Sequence, residues 1–525
     1  MSVTARFVDV TSSSGILYQH GYVNPTPNSE PEEFGGGVAA GDYDGDGLVD
    51  LFVLRGDIGP NLLYRNLGNN VFQDMGVEAG VAYTKGGVEN YRHGGPAFAD
   101  MDGDGDLDLF VGGLEHDPSF LFQNNGNGTF TDVTRRSGVD TIASKYTLSA
   151  AFGDYDLDGD LDMFLTHWGT PREVGASVNT EHLWRNDTVD GVIRFTDVSL
   201  AAGIATEIIE PDPVGSSHGG GFDYTFTPTF ARIDSDRYPD LVIAADFLTS
   251  RYFVNNGDGT FRNATDPDVI VDRNGMGSAL GDYDGDGDLD WFVSSIWAIP
   301  DSLGNQTFEL GNRLYNNHLG QFDDVTEAAG VRDGGWGWGA CFADFDNDGD
   351  LDIYHTNGWS EPFEPSNFHE DRSRFFLSLG DGTFSEEAER AGLTDVELGH
   401  GIVCADFDND GDVDIFLAHL NEQNAATLWR NDSDRRNYLK VKLNGVAPNT
   451  EAAGARIRVT VNGVEHLREI MIGSNYTSQN PTEQIFGLGR ATQVERVEVE
   501  WPDGNLSTRT DVAHGQKLVI DHPDL

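Results

Sequence analysis

Aspartate recurs in this chain at a spacing that asks for a cation. Six nine-residue loops carry aspartate at positions 1, 3, 5 and 9 and glycine at position 6. They are Asp42, Asp44, Asp46 and Asp50; Asp100, Asp102, Asp104 and Asp108; Asp154, Asp156, Asp158 and Asp162; Asp282, Asp284, Asp286 and Asp290; Asp344, Asp346, Asp348 and Asp352; and Asp406, Asp408, Asp410 and Asp414. Four carboxylates in nine residues repel one another unless something positive sits between them. Oxygen-only ligands and a flexible loop suit Ca2+; Mg2+ prefers a tighter octahedron and keeps its waters. Zinc would bring histidine or cysteine into the loop, and there is none. An EF-hand needs a glutamate at position 12 and flanking helices, whereas these flanks are apolar strands. About six structural Ca2+ ions are therefore expected. A seventh copy, RIDSDRYPD, begins with Arg232. It is expected to be metal-free, its arginine pairing with Asp234, Asp236 or Asp240.

The elements that must hold these loops repeat with them. A Gly/Ala-rich strand enters each loop, as in GGGVAAG (35–41), and a very apolar strand leaves it, as in LFVGG. A third strand carries L-[YFW]-x-N, weakened to SRFFLS in the 370s, and a G-[DN]-G-x-F turn leads to a fourth. Four short strands per unit, seven times, read as a β-propeller. FVDVT (7–11) is a fourth-strand sequence without its three predecessors, so it is expected to close the seventh unit and leave no open edge. After 436 the pattern becomes alternating strands without acidic loops. The expected fold is all-β: a seven-bladed propeller over 1–436 closed by the N-terminal strand, and a small antiparallel β-domain over 437–525.

This topology puts the acidic loops on one face and the ends of strands one and two on the other. Seven of the 14 histidines map to that second face: His93, His116, His167, His218, His355, His400 and His419. Trp168, Trp297, Trp336, Trp338 and Trp359 accompany them, with Glu115 and Asp246. An aromatic funnel with convergent polar groups is the expected ligand site. His93, His167, His218, His355 and His400 are candidates for acid–base chemistry, and three converging histidines could hold a transition metal. Insertions at 169–182, 206–221 and 358–373, and the segment 17–34, are expected to wall this face. No P-loop, nucleophile elbow, dinucleotide fingerprint or HExxH occurs.

Charge narrows the partners. Lys and Arg number 33 against 88 Asp and Glu, a net charge of −55, which repels nucleic acid and anionic membrane even with six divalent ions bound. No 18-residue apolar stretch exists to span a membrane. No secretory leader is visible at the N-terminus, which reads as cytoplasmic, or as extracellular if a leader has been removed. The two cysteines, Cys341 and Cys404, precede acidic loops on strands that should be buried, and read as small buried hydrophobes.

The repeats GVAAGDYDGDGLVDLFV and ACFADFDNDGDLDIYHTNG resemble FG-GAP/VCBS repeats of integrin-alpha-like propellers. NYLKVKLNG, GARIRVTVNG, IMIGSNYTSQNPTEQIFGLG and VERVEVEWPDG resemble the ASPIC/UnbV domain. The combination resembles the cartilage acidic protein 1-like family. The resemblance implies mainly calcium binding and protein or matrix interaction; the expected function is a calcium-stabilised propeller that binds a protein, glycan or small-molecule ligand on the face opposite the acidic loops. The alternative is an intracellular cyclase, isomerase or lyase that works on a small natural product in the funnel through the rim histidines.

Overall fold

The computed structural model describes residues 5–23, 34–139, 146–172, 180–208, 221–297, 310–359, 368–420, 426–433, 436–473 and 475–525. The fold is all-β. Seven antiparallel sheets carry the repeats. The first has strands Val38–Gly41, Asp50–Val53, Leu62–Asn66 and Phe72–Asp74, and the next five repeat this order along the chain. The seventh takes Gly399–Ala405, Asp414–His419 and Ala426–Asn431 from one end of the chain and Phe7–Asp9 from the other, with Phe7 paired to Asn431. The inner strands of successive sheets pack on one another all the way round, the seventh against the first. Alanine and glycine are the commonest residues of these strands, which crowd the axis, and their small side chains let neighbours approach.

Two of the inner strands are covalently joined. Cys341 in Gly337–Ala343 and Cys404 in Gly399–Ala405 form a disulfide. This corrects their reading as small buried hydrophobes: the two positions sit on the inner strands of successive sheets, a proximity that the packing of one sheet on the next creates.

The C-terminal residues form two further sheets around one apolar core of Leu439, Val441, Ile457, Val459, Phe486, Val497 and Trp501. One sheet orders Val464–Glu469, Arg456–Val461, Gln493–Glu500 and Leu506–Ala513. The other places Asn437–Asn444 between Gln484–Gly489 and Gln516–Asp521. Its second pairing is parallel, Leu439 opposite Gln516 through Asn444 opposite Asp521. The unit is therefore mixed rather than wholly antiparallel, because its last strand returns alongside its first.

Between these sheets the chain leaves the C-terminal unit and enters the ring. Ser478–Gln479 adds a fifth, parallel strand to the first sheet, Ser478 beside Val38 and Gln479 beside Ala39. Ile472 bridges Phe152 in the third sheet. Side chains do what strand pairing cannot. Gln479 accepts the Phe98 N–H at 2.6 Å and donates to the Phe98 carbonyl at 2.7 Å. Asn480 accepts the Cys404 N–H at 2.8 Å, Asn475 donates to the Ile402 carbonyl at 3.2 Å, and Ser149 Oγ accepts the Thr477 N–H at 3.2 Å. Inner-strand peptide groups facing the axis have no neighbouring strand on that side, and buried peptide groups need partners. This segment supplies them from one place to several sheets. Gly37, at φ +132°, has no room for a side chain: a Cβ there would lie 2.2 Å from the Thr477 carbonyl oxygen.

Candidate cation loops and the aromatic face opposite

Each acidic loop is built around its last aspartate. In the intact loops one oxygen of position 9 accepts the N–H of loop residue 2, as Asp50 does from Tyr43 at 3.2 Å and Asp108 from Met101 at 3.0 Å. The other accepts an N–H of the third strand, Asn66 and Asn124 at 2.7 and 2.8 Å. The asparagine of L-[YFW]-x-N then reaches sideways. Its amide donates to the preceding sheet's loop: Asn66 to Phe407, Asn124 to Tyr43, Asn186 to Met101, Asn255 to Tyr155, Asn317 to Ile233 and Asn431 to Phe345, at 2.8–2.9 Å. This explains the repeated asparagine. In the sixth sheet Ser378 stands in its place and is too short to make the bridge.

Positions 1, 3 and 9 converge. Ligand oxygens of Asp42, Asp44 and Asp50 lie within 4.8 Å of one another, as do those of Asp100, Asp102 and Asp108 and those of Asp154, Asp156 and Asp162. Position 5 is used locally: Asp46, Asp104, Asp158, Asp286, Asp348 and Asp410 each accept the N–H two residues on. Oδ1 of Asp42, Asp44, Asp102, Asp154, Asp156, Asp282 and Asp408 is buried and has no hydrogen-bond partner. Burial, compounded by Asp158 and Asp156, raises Asp154 to about 7, and burial raises Asp50 to about 8. A carboxylate held this way needs a proton or a cation. Seven unpaired oxygens on positions 1 and 3 fit an oxygen-coordinated divalent ion.

The Arg232 loop differs from expectation in its partners. Arg232 Nε donates to the Asp236 carbonyl at 3.1 Å, and Nη2 pairs with Glu500 of the C-terminal unit at 2.9 Å. The loop carboxylates are not its partners, because the first loop position faces the C-terminal sheets.

That orientation holds around the ring. Lys440 lies 2.5 Å from Asp406, Arg436 lies 3.0 Å from Asp346, and Lys442 lies 3.8 Å from Asp42. Glu451 accepts the Asp100 N–H at 3.0 Å and Thr450 bonds the Asp100 carboxylate. Asp344 accepts the Gly487 N–H at 3.0 Å. The C-terminal unit therefore sits on the acidic-loop face and covers these loops.

On the opposite face the aromatics gather. Trp168, Trp338 and Trp359 share one cluster with Tyr146, Tyr224, Phe226 and Tyr476, and Trp336 packs against it. Phe34 sits among them, 4.4 Å from Trp168 and 6.0 Å from Trp338 between ring centres. Trp336 and Trp359 stack at 4.6 Å, within 2° of parallel. Their indole N–H groups are buried without a partner. Trp297 lies apart, under the Arg332 guanidinium at 5.2 Å.

The structure places the candidate histidines as struts. His93 joins Thr84 Oγ1 at 2.7 Å and the Gly112 carbonyl at 3.1 Å. His167 joins Thr147 Oγ1 at 3.2 Å and the Glu181 carbonyl at 3.1 Å. His355 joins Asn312 at 3.1 Å and the Thr356 carbonyl at 3.3 Å. His400 stacks on Trp338 at 4.2 Å, and His419 meets Thr427 Oγ1 at 3.1 Å. Burial lowers His93 to about 4, His167 and His355 to about 3 and His419 to about 4, so these rings are neutral at pH 7. His218 and most of the insertion 206–221 lie outside the described residues. Glu115 accepts the Tyr146 hydroxyl, His116 beside it is exposed, and Asp246 accepts from Trp168 at 3.3 Å and Asn274 at 2.8 Å. Sequence reasoning missed a buried contact behind this face, His182 Nε2 to the Asp223 carboxylate at 2.7 Å. It also missed Phe34, Tyr476 and Gln479 as axial residues. None belongs to the repeat, so no periodicity marked them.

Comparison with known proteins agrees with this architecture. The FG-GAP-like repeat family matches residues 42–111, 100–165, 232–293, 300–355 and 367–417, and ASPIC and UnbV matches 445–525. Cartilage acidic protein 1 of Mus musculus is 26% identical over 525 residues, 95% of this chain and 75% of its own. That of Homo sapiens is 26% identical over 519 residues, 94% of this chain and 72% of its own. Among solved structures, a protein of Agrocybe aegerita that recognises non-reducing terminal N-acetylglucosamine aligns with a TM-score of 0.38 and 16% identity, over 76% of this chain and 90% of that one. The chain belongs to the FG-GAP-like repeat family and ends in an ASPIC and UnbV domain.

Proposed function

We propose that the chain is a calcium-stabilised binding protein that takes a protein, glycan or small-molecule ligand on the face opposite its acidic loops. The observation that carries the calcium part is the set of buried, unpaired Oδ1 atoms at positions 1 and 3. Positions 1, 3 and 9 would hold the ion, which supplies positive charge and fixes the turn between the first two strands of each sheet. The protein's own residues do the rest. Position 9 locks the loop to the third strand, and the asparagine amides tie six of the seven loops to the next sheet. With the loops rigid, the C-terminal sheets dock on them and the axial segment holds the inner strands.

The ligand part rests on the aromatic cluster around the stacked Trp336–Trp359 pair, where two buried indole N–H groups lack a hydrogen-bond partner. A disulfide and Ca2+ together favour an oxidising compartment. The test of the calcium reading is chelation of the full chain: EDTA should lower the thermal midpoint by 10 °C or more, taken as roughly the loss of several structural ions, and added Ca2+ should restore it. An unchanged midpoint removes the reading.

A further inference from the structure

The six intact loops share a sequence pattern but not an electrostatic setting. Resting on the calcium reading, we propose that Arg436 and Lys440 are tethered counter-ions that keep the sixth and seventh loops from holding a divalent ion. Binding is then confined to the loops beginning at Asp42, Asp100, Asp154 and Asp282.

Lys440 carries most of the argument. Its ammonium lies 2.5 Å from Asp406 Oδ2, 2.8 Å from Asn409 Oδ1 and 3.2 Å from Glu483 Oε1, and its side chain is 3% exposed. Asp406 and Asn409 are positions 1 and 4 of the seventh loop. Three acceptors around three N–H donors make a complete site for a buried cation. In the sixth loop, Arg436 Nη1 lies 3.0 Å from Asp346 Oδ1 and 3.1 Å from Asp348 Oδ2, positions 3 and 5. Position 3 is an oxygen that stays unpaired in the loops at Asp44, Asp102 and Asp156. A divalent ion entering either loop would meet a fixed like charge a few ångströms away in a region shielded from water, where repulsion is strong. Both basic residues come from the start of the C-terminal unit, so the unit that covers the loops also supplies the charge.

The first loop also meets Arg65 and, 3.8 Å from Asp42, Lys442, whose side chain is 39% exposed, yet it is different. Arg65 touches Asp44 Oδ2 at 2.6 Å and Asp46 Oδ2 at 2.9 Å, but its side chain is 40% exposed. Oδ1 of Asp42 and of Asp44 both stay buried and unpaired beside it. In the seventh loop Asp408 Oδ1 is unpaired, so a ligand is ready there once the ammonium is removed.

The test uses the full chain, stripped by chelator, titrated calorimetrically with CaCl2 and crystallised with Tb3+ for anomalous scattering. Four ions are expected in the wild type, with no peak at Asp344 or Asp406. Lys440→Met should gain a fifth ion at Asp406, bound at least about tenfold more tightly than in the wild type. A wild-type peak at Asp344 or Asp406 equal to the others overturns the proposal, as does a folded Lys440→Met whose seventh loop stays empty. Should that variant not fold, the wild-type anomalous map decides alone. Ions in all six loops remove this inference and leave the calcium reading intact; ions in none remove both.

Discussion

Gln479 offers the sharpest test of how the ring is held. Its amide pairs with both peptide groups of Phe98, and it is 2% exposed, so water cannot replace it. Gln479→Leu keeps the volume and removes both partners. Two lost hydrogen bonds cost about 1 kcal/mol each, and two peptide groups left buried and unpaired add about 1 kcal/mol or more each, giving about 4 kcal/mol in all. If the chain melts as one unit, its unfolding entropy near 60 °C is about 1.1 kcal/mol/K at ~2.1 cal/mol/K per residue, so the midpoint should fall by about 4 °C. Calorimetry reads this directly, with the exposed Gln73→Leu as control. A shift under about 1 °C, with the control unchanged, would show that the axial segment does not bind the inner strands. A second, earlier transition would instead show that the C-terminal unit melts by itself.

Ser378→Asn should raise stability by about 1 kcal/mol by restoring the amide bridge that the other six sheets make; urea denaturation measures it, and a loss would mean that the sixth sheet has no room for the longer side chain. Reducing Cys341–Cys404 should lower stability by about 2–4 kcal/mol, since it joins two inner strands 63 residues apart; equal midpoints with and without reductant would refute the tie. Burial pushes Asp223 up, but His182 and Arg172 outweigh it and hold the carboxyl well below its usual range. A depressed carboxylate contributes stability above its unfolded pKa of about 4 that is lost as pH falls below it. Asp223→Asn should therefore be destabilised at pH 7 and should show a shallower loss than the wild type between about pH 4 and 2. Parallel acid limbs would argue that the Asp223 carboxyl is not held below its usual range.

The loops, their strands, the seven units and the closing N-terminal strand were legible because they repeat. A period-two strand pattern and a fixed ligand spacing are local properties, and each copy supports the reading of the others. The family resemblance of the C-terminal residues was legible for the same reason. What the sequence left open lies between elements distant in the chain. Cys341 and Cys404 look like ordinary core residues until the packing of the seventh sheet on the sixth brings their strands together. Arg232 looks like a substitute ion until the C-terminal sheets place Glu500 beside it. The histidines look like a convergent set because topology sends them to one face, but only the folded chain shows each of the described inner ones bonded to nearby side chains and carbonyls or stacked on a tryptophan. The polar residues of NYTSQNP (475–481) have no role that local sequence shows. Their partners are peptide groups of several inner strands, so their purpose exists only once the ring is closed around them.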